Sequence, residues 1–240
     1  MLKEDLERYL WQTKQPWEVL HYKLIWSQIA DIIDAKKLKV LDFGSGLGIT
    51  ANYFAKNNEV TAIEPNIDII QVRERENIYT QIHGDYKKLK DFTDNSFDMI
   101  ICHNVLHFAE ERTDIVKEFS RLIKKEGLLS IMMQNKHGKV LFKIVFENNI
   151  DEAINLIDND ETSDLFGNVT YFSPDDLVEW GENLKIEKVL ASRILGKLQN
   201  NDVKYAQDWV DKMLKVEKKV CDLEPYKNMG HCYHVLLRKV

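Results

Sequence analysis

The ten residues Lys39-Val40-Leu41-Asp42-Phe43-Gly44-Ser45-Gly46-Leu47-Gly48 constrain this chain more than any other stretch. A short apolar run, Val40 to Phe43, contains an acid near its end, and glycines follow at alternate positions. Ile49 to Lys56 then reads as the opening of an amphipathic helix. Glycine at a strand-to-helix turn lets backbone N–H groups approach a ligand with no Cβ in the way. The dinucleotide fingerprint G-x-G-x-x-G requires two residues before its third glycine. Here Gly48 comes one residue early and Ile49 takes that place, which disfavours a nicotinamide dehydrogenase.

Apolar patterning around this turn predicts strands at 38–43, 59–64, 79–83, 97–102 and 128–133. Helices are predicted between them at 47–57, 66–76 and 114–124, with a turn at Glu126-Gly127. Strand and helix in this rhythm mean a parallel sheet wound on both faces. Before it, residues 1–35 predict two helices around Pro16, the second with Leu20, Leu24, Ile25, Gln28, Ile29 and Ile32 at helical spacing. After it come an apolar helix at 140–146, an acidic stretch at 147–164, and Ser173-Pro174-Asp175-Asp176, a strong helix start. Two last strands at 184–194 and 233–239 enclose a long helix at 202–221. The expected fold is α/β, a doubly wound, mostly parallel seven-stranded sheet with an N-terminal helical arm and a helical insertion after strand five. We read it as a single domain: helical cap 1–35, core 36–134, insertion 135–172 and the rest of the sheet at 173–240.

Composition narrows the partners. The 240 residues are 44% hydrophobic and 30% charged, enough for one sizeable core. A formal net charge of −6 excludes a generic polyanion binder but not a local basic patch. Cys102, Cys221 and Cys232 show no metal spacing, so no metal is expected, and the odd count suits reduced thiols. Neither a signal peptide nor an apolar run long enough to span a bilayer is present, so a cytoplasmic location is expected.

In an open parallel sheet, ligands bind beyond the carboxyl ends of the strands. Asp42 and the glycines, Glu64, Asp85 and His103 all fall there. An acid about 20 residues beyond the glycines suits two ribose hydroxyls, and Asp85 suits an adenine amino group. In this spacing residues 38–134 resemble the class I S-adenosylmethionine-dependent methyltransferases, which have a Rossmann-like fold. The family's acidic-G-x-G-x-G motif is matched at Asp42, Gly44, Gly46 and Gly48, its acid after strand two at Glu64, and its acid after strand three at Asp85. The resemblance implies S-adenosylmethionine as methyl donor, held with the further help of Ser45, Pro65 and Tyr86. His103-Asn104-Val105-Leu106-His107 after strand four is not the Asn/Asp-Pro-Pro-Tyr/Phe signature of base-amine methylation, and no Pro-Cys nucleophile occurs.

Beyond the core, the chain resembles the bacterial tRNA 5-carboxymethoxyuridine methyltransferase group. Trp17 to Trp26, Phe97 to His107, Gln134 to Gly138 and Glu224-Pro225-Tyr226 through His234 carry this likeness. It implies a carboxylate acceptor on a wobble uridine, and His103 against the donor. A family arginine that holds the donor's carboxylate is matched here by His21, with Lys14 or Lys23 as alternatives, and a second arginine position is matched by His231. Tyr22, His107, Asn135, Arg193 and Tyr226 are the expected acceptor-side residues. A tRNA acceptor also needs basic surface, for which Lys136, His137, Lys139, Lys143, Arg193 and Lys197 are candidates. The alternatives are a small-molecule O- or N-methyltransferase and a non-catalytic S-adenosylmethionine-binding protein.

Overall fold

The computed structural model describes residues 3–164 and 167–240. It opens with α1 (Lys3–Thr13) and α2 (Pro16–Ala30), with Pro16 at a first turn that has no use for its missing N–H. Then come β1 (Lys39–Phe43), α3 (Ile49–Ala55), β2 (Glu59–Glu64), α4 (Ile67–Gln71), β3 (Thr80–His83), β4 (Phe97–His103), α5 (Arg112–Leu122) and β5 (Ile123–Gln134). The second half holds α6 (Lys136–Val145), α7 (Ile150–Asp158), β6 (Glu161–Asp164), β7 (Gly167–Thr170), α8 (Pro174–Trp180), β8 (Leu184–Ser192), α9 (Trp209–Val220), α10 (Tyr226–Met229) and β9 (Cys232–Lys239).

Seven strands form one sheet in the order β3-β2-β1-β4-β5-β9-β8. The first five are parallel, and β9 enters antiparallel between β5 and β8. This is the mostly parallel, doubly wound α/β sheet that the sequence predicts. β1 lies between β2 and β4, so strand order reverses there and opens a crevice at their carboxyl ends.

Alternation along each strand divides the core between the two faces. Leu41, Phe43, Ile63, Ile100 and Leu129 pack with Ile115 and Phe119 of α5 and Leu177 of α8. Their neighbours Val40, Val60, Ala62, Met99 and Ile101 pack with Ile29 of α2, Ala51 and Phe54 of α3, and Cys221. A slip of one residue would exchange these sets, so burial on both faces fixes the register.

Four elements differ from expectation. The predicted long helix at 202–221 is broken: a short 3-10 turn, Asn201–Tyr205, precedes α9, and Ala206 between them is extended. The break lets both Lys204 and Trp209 turn inward. α5 ends at Leu122, and β5 begins at once, carrying the Glu126-Gly127 turn as an irregularity between the pairs Phe97–Ile123 and Met99–Leu128. α4 is short because Glu74 leaves to donate its N–H to the Leu47 carbonyl at 2.8 Å. The acidic stretch is not all helix: after α7 it forms the hairpin β6–β7.

β1 ends in a turn whose Gly44 has φ +72°, and a Cβ there would lie 2.2 Å from Val105 Cγ2. Gly44→Ala is therefore expected to cost at least the left-handed penalty of about 1–2 kcal/mol. Urea unfolding should show a lowered midpoint, and an unchanged midpoint would contradict this reading of the turn.

Candidate active site

The glycine turn is fastened to β2. Gly44 and Ser45 donate their N–H groups to the Ile63 carbonyl at 2.9 and 3.0 Å. Gly46 N–H donates to Glu64 Oε2 and Asn66 N–H to Glu64 Oε1, both at 2.9 Å. Gly46 and Gly48 are left-handed as well, with φ of 52° and 69°. Beside them Asp42 is buried, and its Oδ2 has no partner among the described residues. Burial, against an opposing bond to the Ala51 backbone and with help from the Glu64 charge, pushes the Asp42 carboxyl up to about 7. Burial also raises Glu64, opposed by the Asn66 and Gly46 N–H groups. Two buried carboxylates in one pocket call for hydrogen-bond donors or a positive charge.

Tyr9 of α1 reaches this turn. Its hydroxyl lies 2.8 Å from where a Cβ on Gly46 would stand. Burial, followed by the charges of Glu64, Glu18 and Asp42, pushes that hydroxyl up to about 12. Nothing in the sequence marks Tyr9, because one tyrosine on a charged helix has no signature. At the next strand ends, Pro65 is exposed and its carbonyl accepts from His83 Nε2 at 2.9 Å. Asp85 caps the 3-10 turn Tyr86–Asp91 by accepting the Lys87 N–H, and Tyr86 is half-buried against the α5 face.

At the end of β4, His103 heads a buried chain of hydrogen bonds. Its Nε2 is 2.8 Å from Ser130 Oγ, which is 2.7 Å from His234 Nε2, and His234 Nδ1 is 2.7 Å from Gln28 Oε1. Gln28 Nε2 donates to the Ala191 carbonyl at 3.0 Å, which fixes the amide's orientation. The oxygen of Gln28 then accepts, so His234 carries its proton on Nδ1 and accepts at Nε2. Ser130 donates to His234 and accepts from His103. His103 is thereby held as the Nε2–H tautomer with a bare lone pair on Nδ1, a buried atom with no partner among the described residues. Burial, and next His234, hold His103 well below the usual histidine pKa, and burial takes His234 down to about 3. Sequence reasoning placed Gln28 on an apolar stripe and passed over Ser130 and His234. A polar residue inside an apolar run needs a buried partner, and that signal was available.

Other expected residues fall into separate roles. His21 is buried with Nδ1 3.0 Å from Ser192 Oγ, and burial, then the Arg193 guanidinium, hold it well below the usual histidine pKa. It offers a hydrogen bond but no charge. Of the alternatives to it, Lys23 pairs with Asp211 and Lys14 is exposed. Arg193 meets Glu18 through two bonds of 2.7 Å. Tyr22 stacks on Trp26. His107 is buried, lowered to about 4 chiefly by burial, and its carbonyl accepts the Thr170 N–H of the insertion.

Asn135 corrects an expectation. Both its amide hydrogens go to the Asn228 and Gly230 carbonyls, and its oxygen caps α6 through His137 N–H. It fastens α10 to α6 and has no N–H left for a substrate. Tyr226 is exposed on α10. His231 is buried against Phe142. Among the expected basic residues, Lys136 is paired with Asp160, Lys143 with Glu147 and Glu152, and Arg193 with Glu18. Their charges are already met within the chain.

Comparison with known proteins decides the family. Residues 41–131 match the model of a methyltransferase domain. The tRNA 5-carboxymethoxyuridine methyltransferase of Escherichia coli O157:H7 is 22% identical over 238 residues, covering 92% of this chain and 88% of the relative. This chain is a class I S-adenosylmethionine-dependent methyltransferase. A ubiquinone biosynthesis O-methyltransferase of Xanthomonas oryzae pv. oryzae is 26% identical over 110 residues, 43% of the methyltransferase described here and 46% of the relative. The crystal structure of an S-adenosylmethionine-dependent methyltransferase from Archaeoglobus fulgidus superposes with a TM-score of 0.60 at 17% identity, covering 97% of this chain and 99% of that one. The methyltransferase's own residues fit its donor: an unpartnered buried carboxylate oxygen on Asp42, a second acid at Glu64, and a turn kept free of side chains. Among the described residues no group of three or more His, Cys, Asp or Glu is set to hold a metal ion, and no helix is long and apolar enough to cross a membrane.

Ser130→Ala removes the hydroxyl that two buried histidines share. Leaving such groups unpaired should cost about 1–3 kcal/mol in urea unfolding. Nitrogen–proton NMR correlations of the imidazoles should show His103 as the Nε2–H tautomer in the wild type and as a mixture in the variant. A wild-type His103 protonated on Nδ1 would contradict the chain of bonds.

Proposed function

We propose that this methyltransferase esterifies a carboxylate on a modified wobble uridine of tRNA. The observation that carries this reading is the reach of the likeness to the tRNA 5-carboxymethoxyuridine methyltransferase. It runs over 92% of this chain, so it takes in most of the arm, insertion and final strands as well as the donor core. The ubiquinone relative's likeness covers 43%.

The chemistry of the buried histidines supports the same acceptor. A carboxylate is ionised at neutral pH and needs no base, whereas a hydroxyl or ammonium acceptor must lose a proton. His103 and His107 are both held neutral and weakly basic by burial, a poor provision for proton removal. S-adenosylmethionine, when bound, supplies a methyl group already activated by its sulfonium charge. The chain's own task is then to hold and align the partners and keep water out. In this reading Asp42 and Glu64 accept hydrogen bonds from the donor, with Gly44, Ser45, Gly46 and Gly48 giving it close backbone approach. Pro65, Asp85 and Tyr86 lie beside it, and His21 adds a neutral hydrogen bond. His103 accepts at its bare Nδ1, and Tyr22 and His107 flank the acceptor.

A second reading, an O- or N-methyltransferase of small molecules, draws on the contact of Tyr9 with Gly46, which brings the arm down onto the site. Transfer of labelled methyl from S-adenosylmethionine into purified tRNA and into small metabolites separates the two. Label in tRNA that mild alkali releases is the expected result, because a methyl ester hydrolyses there. Label confined to small metabolites would overturn the tRNA reading.

A further inference from the structure

Between the arm, α6 and the segment 196–205 lies a cleft of about 700 Å³, a usual size for a ligand pocket. Its chemistry is one-sided. Lys197 and Lys204 line it together with Trp17, Phe142 and Phe146, the rest of its polar lining is carboxamide, and no carboxylate faces it. In a chain of net charge −6, that composition is unusual. Lys136, Lys143 and Arg193 have carboxylate partners, but among the described residues Lys197 and Lys204 have none.

The two ammonium groups rest on aromatic faces instead. Lys197 Nζ is 4.3 Å from the Phe142 ring centroid, and Lys204 Nζ is 5.4 Å from that of Trp17. Lys204 as a whole is only 3% exposed. Burial, and then the Arg193 guanidinium, take Lys197 down to about 8, and burial lowers Lys204 too. A cation removed from water without an anion is costly, and an aromatic face returns only part of that cost. An anionic ligand would return the rest. Phe142 and Phe146 stack at 5.1 Å, so the same cleft also offers flat surfaces to a planar ring. A narrower space bounded by Trp17, Lys197, His21 and Arg193 adjoins it on the inner side.

We propose that this cleft is a nucleoside-phosphate site, in which Lys197 and Lys204 bind phosphate oxygens and the base lies among Trp17, Phe142 and Phe146. In the tRNA reading, on which only the source of the ligand rests, the phosphates are those of the strand that carries the acceptor. Lys204 was outside the basic residues expected from sequence, because it sits in a stretch that reads as a regular helix.

The test is binding of a fluorescein-labelled single-stranded RNA heptamer to the full protein across a salt series, with uridine 5′-monophosphate as competitor. Lys197→Gln/Lys204→Gln should weaken RNA binding and lower the slope of log K against log salt by about 1.4, near 0.7 for each phosphate released. Calorimetric affinity for S-adenosylmethionine, the check that the variant is folded, should not change. Displacement of the heptamer by the mononucleotide at comparable concentration would also support the site and identify a free nucleotide as sufficient. Failure of the wild type to bind either probe, or wild-type affinity and slope in the double variant, would overturn the proposal. The two proposals fail separately. RNA binding that depends on the lysines, without methyl transfer to tRNA, removes the acceptor and leaves the cleft. Transfer to tRNA untouched by the double variant removes the cleft and leaves the acceptor.

Discussion

The Glu64 carboxylate accepts the N–H groups of Gly46 and Asn66, and so fastens the end of β2 to the turn that follows β1. Much of the site depends on that fastening. It holds three left-handed glycines in one conformation and keeps an acid buried at the point where strand order reverses. It also sets Glu64 near Asp42, whose own carboxyl is pushed up by burial and by that neighbouring charge. The pocket is thus short of hydrogen-bond donors and positive charge. S-adenosylmethionine brings both, in its ribose hydroxyls and its cationic groups.

A second constraint links the arm to the sheet. Gln28 on α2, His234 on β9, Ser130 on β5 and His103 on β4 form one chain of donors and acceptors, anchored at the Ala191 carbonyl of β8. Each member leaves its neighbour only one protonation pattern, so a residue of the arm sets the tautomer of a histidine at the strand ends. The arm therefore does more than cover the pocket. It contributes Tyr9 at the glycine turn, Gln28 to the buried chain, Glu18 to Arg193 and Trp17 to the basic cleft.

Sequence legibility followed range. The parallel core was readable because alternation, glycine spacing and strand-end acids are local patterns, and Val40 to Gly48 carry all three within ten residues. The capped start of α8 was readable for the same reason, and its capping box is present. Features made by distant contacts were not. The hairpin β6–β7 lay hidden in an acidic stretch, where charge suggested solvent and said nothing of pairing. The break before α9 follows from turning Lys204 and Trp209 inward, which no helical periodicity foretells. Asn135 looked like a site residue from its neighbours, yet its partners are the Asn228 and Gly230 carbonyls some ninety residues away. Charge counting likewise overvalued Lys136 and Lys143, whose carboxylate partners lie in the folded insertion.

The central claim is that buried Asp42 waits, largely protonated below neutrality, for the donor's hydrogen-bond donors and positive charge. Binding must then favour its ionised form, and linkage requires that a proton leave as the donor enters. Calorimetric titration of S-adenosylmethionine near pH 6.5, in buffers of different ionisation enthalpy, counts that proton directly. The account predicts net proton release by the wild type, lost in Asp42→Asn together with much of the affinity. Binding with no proton released, and equally tight in the asparagine variant, would contradict it.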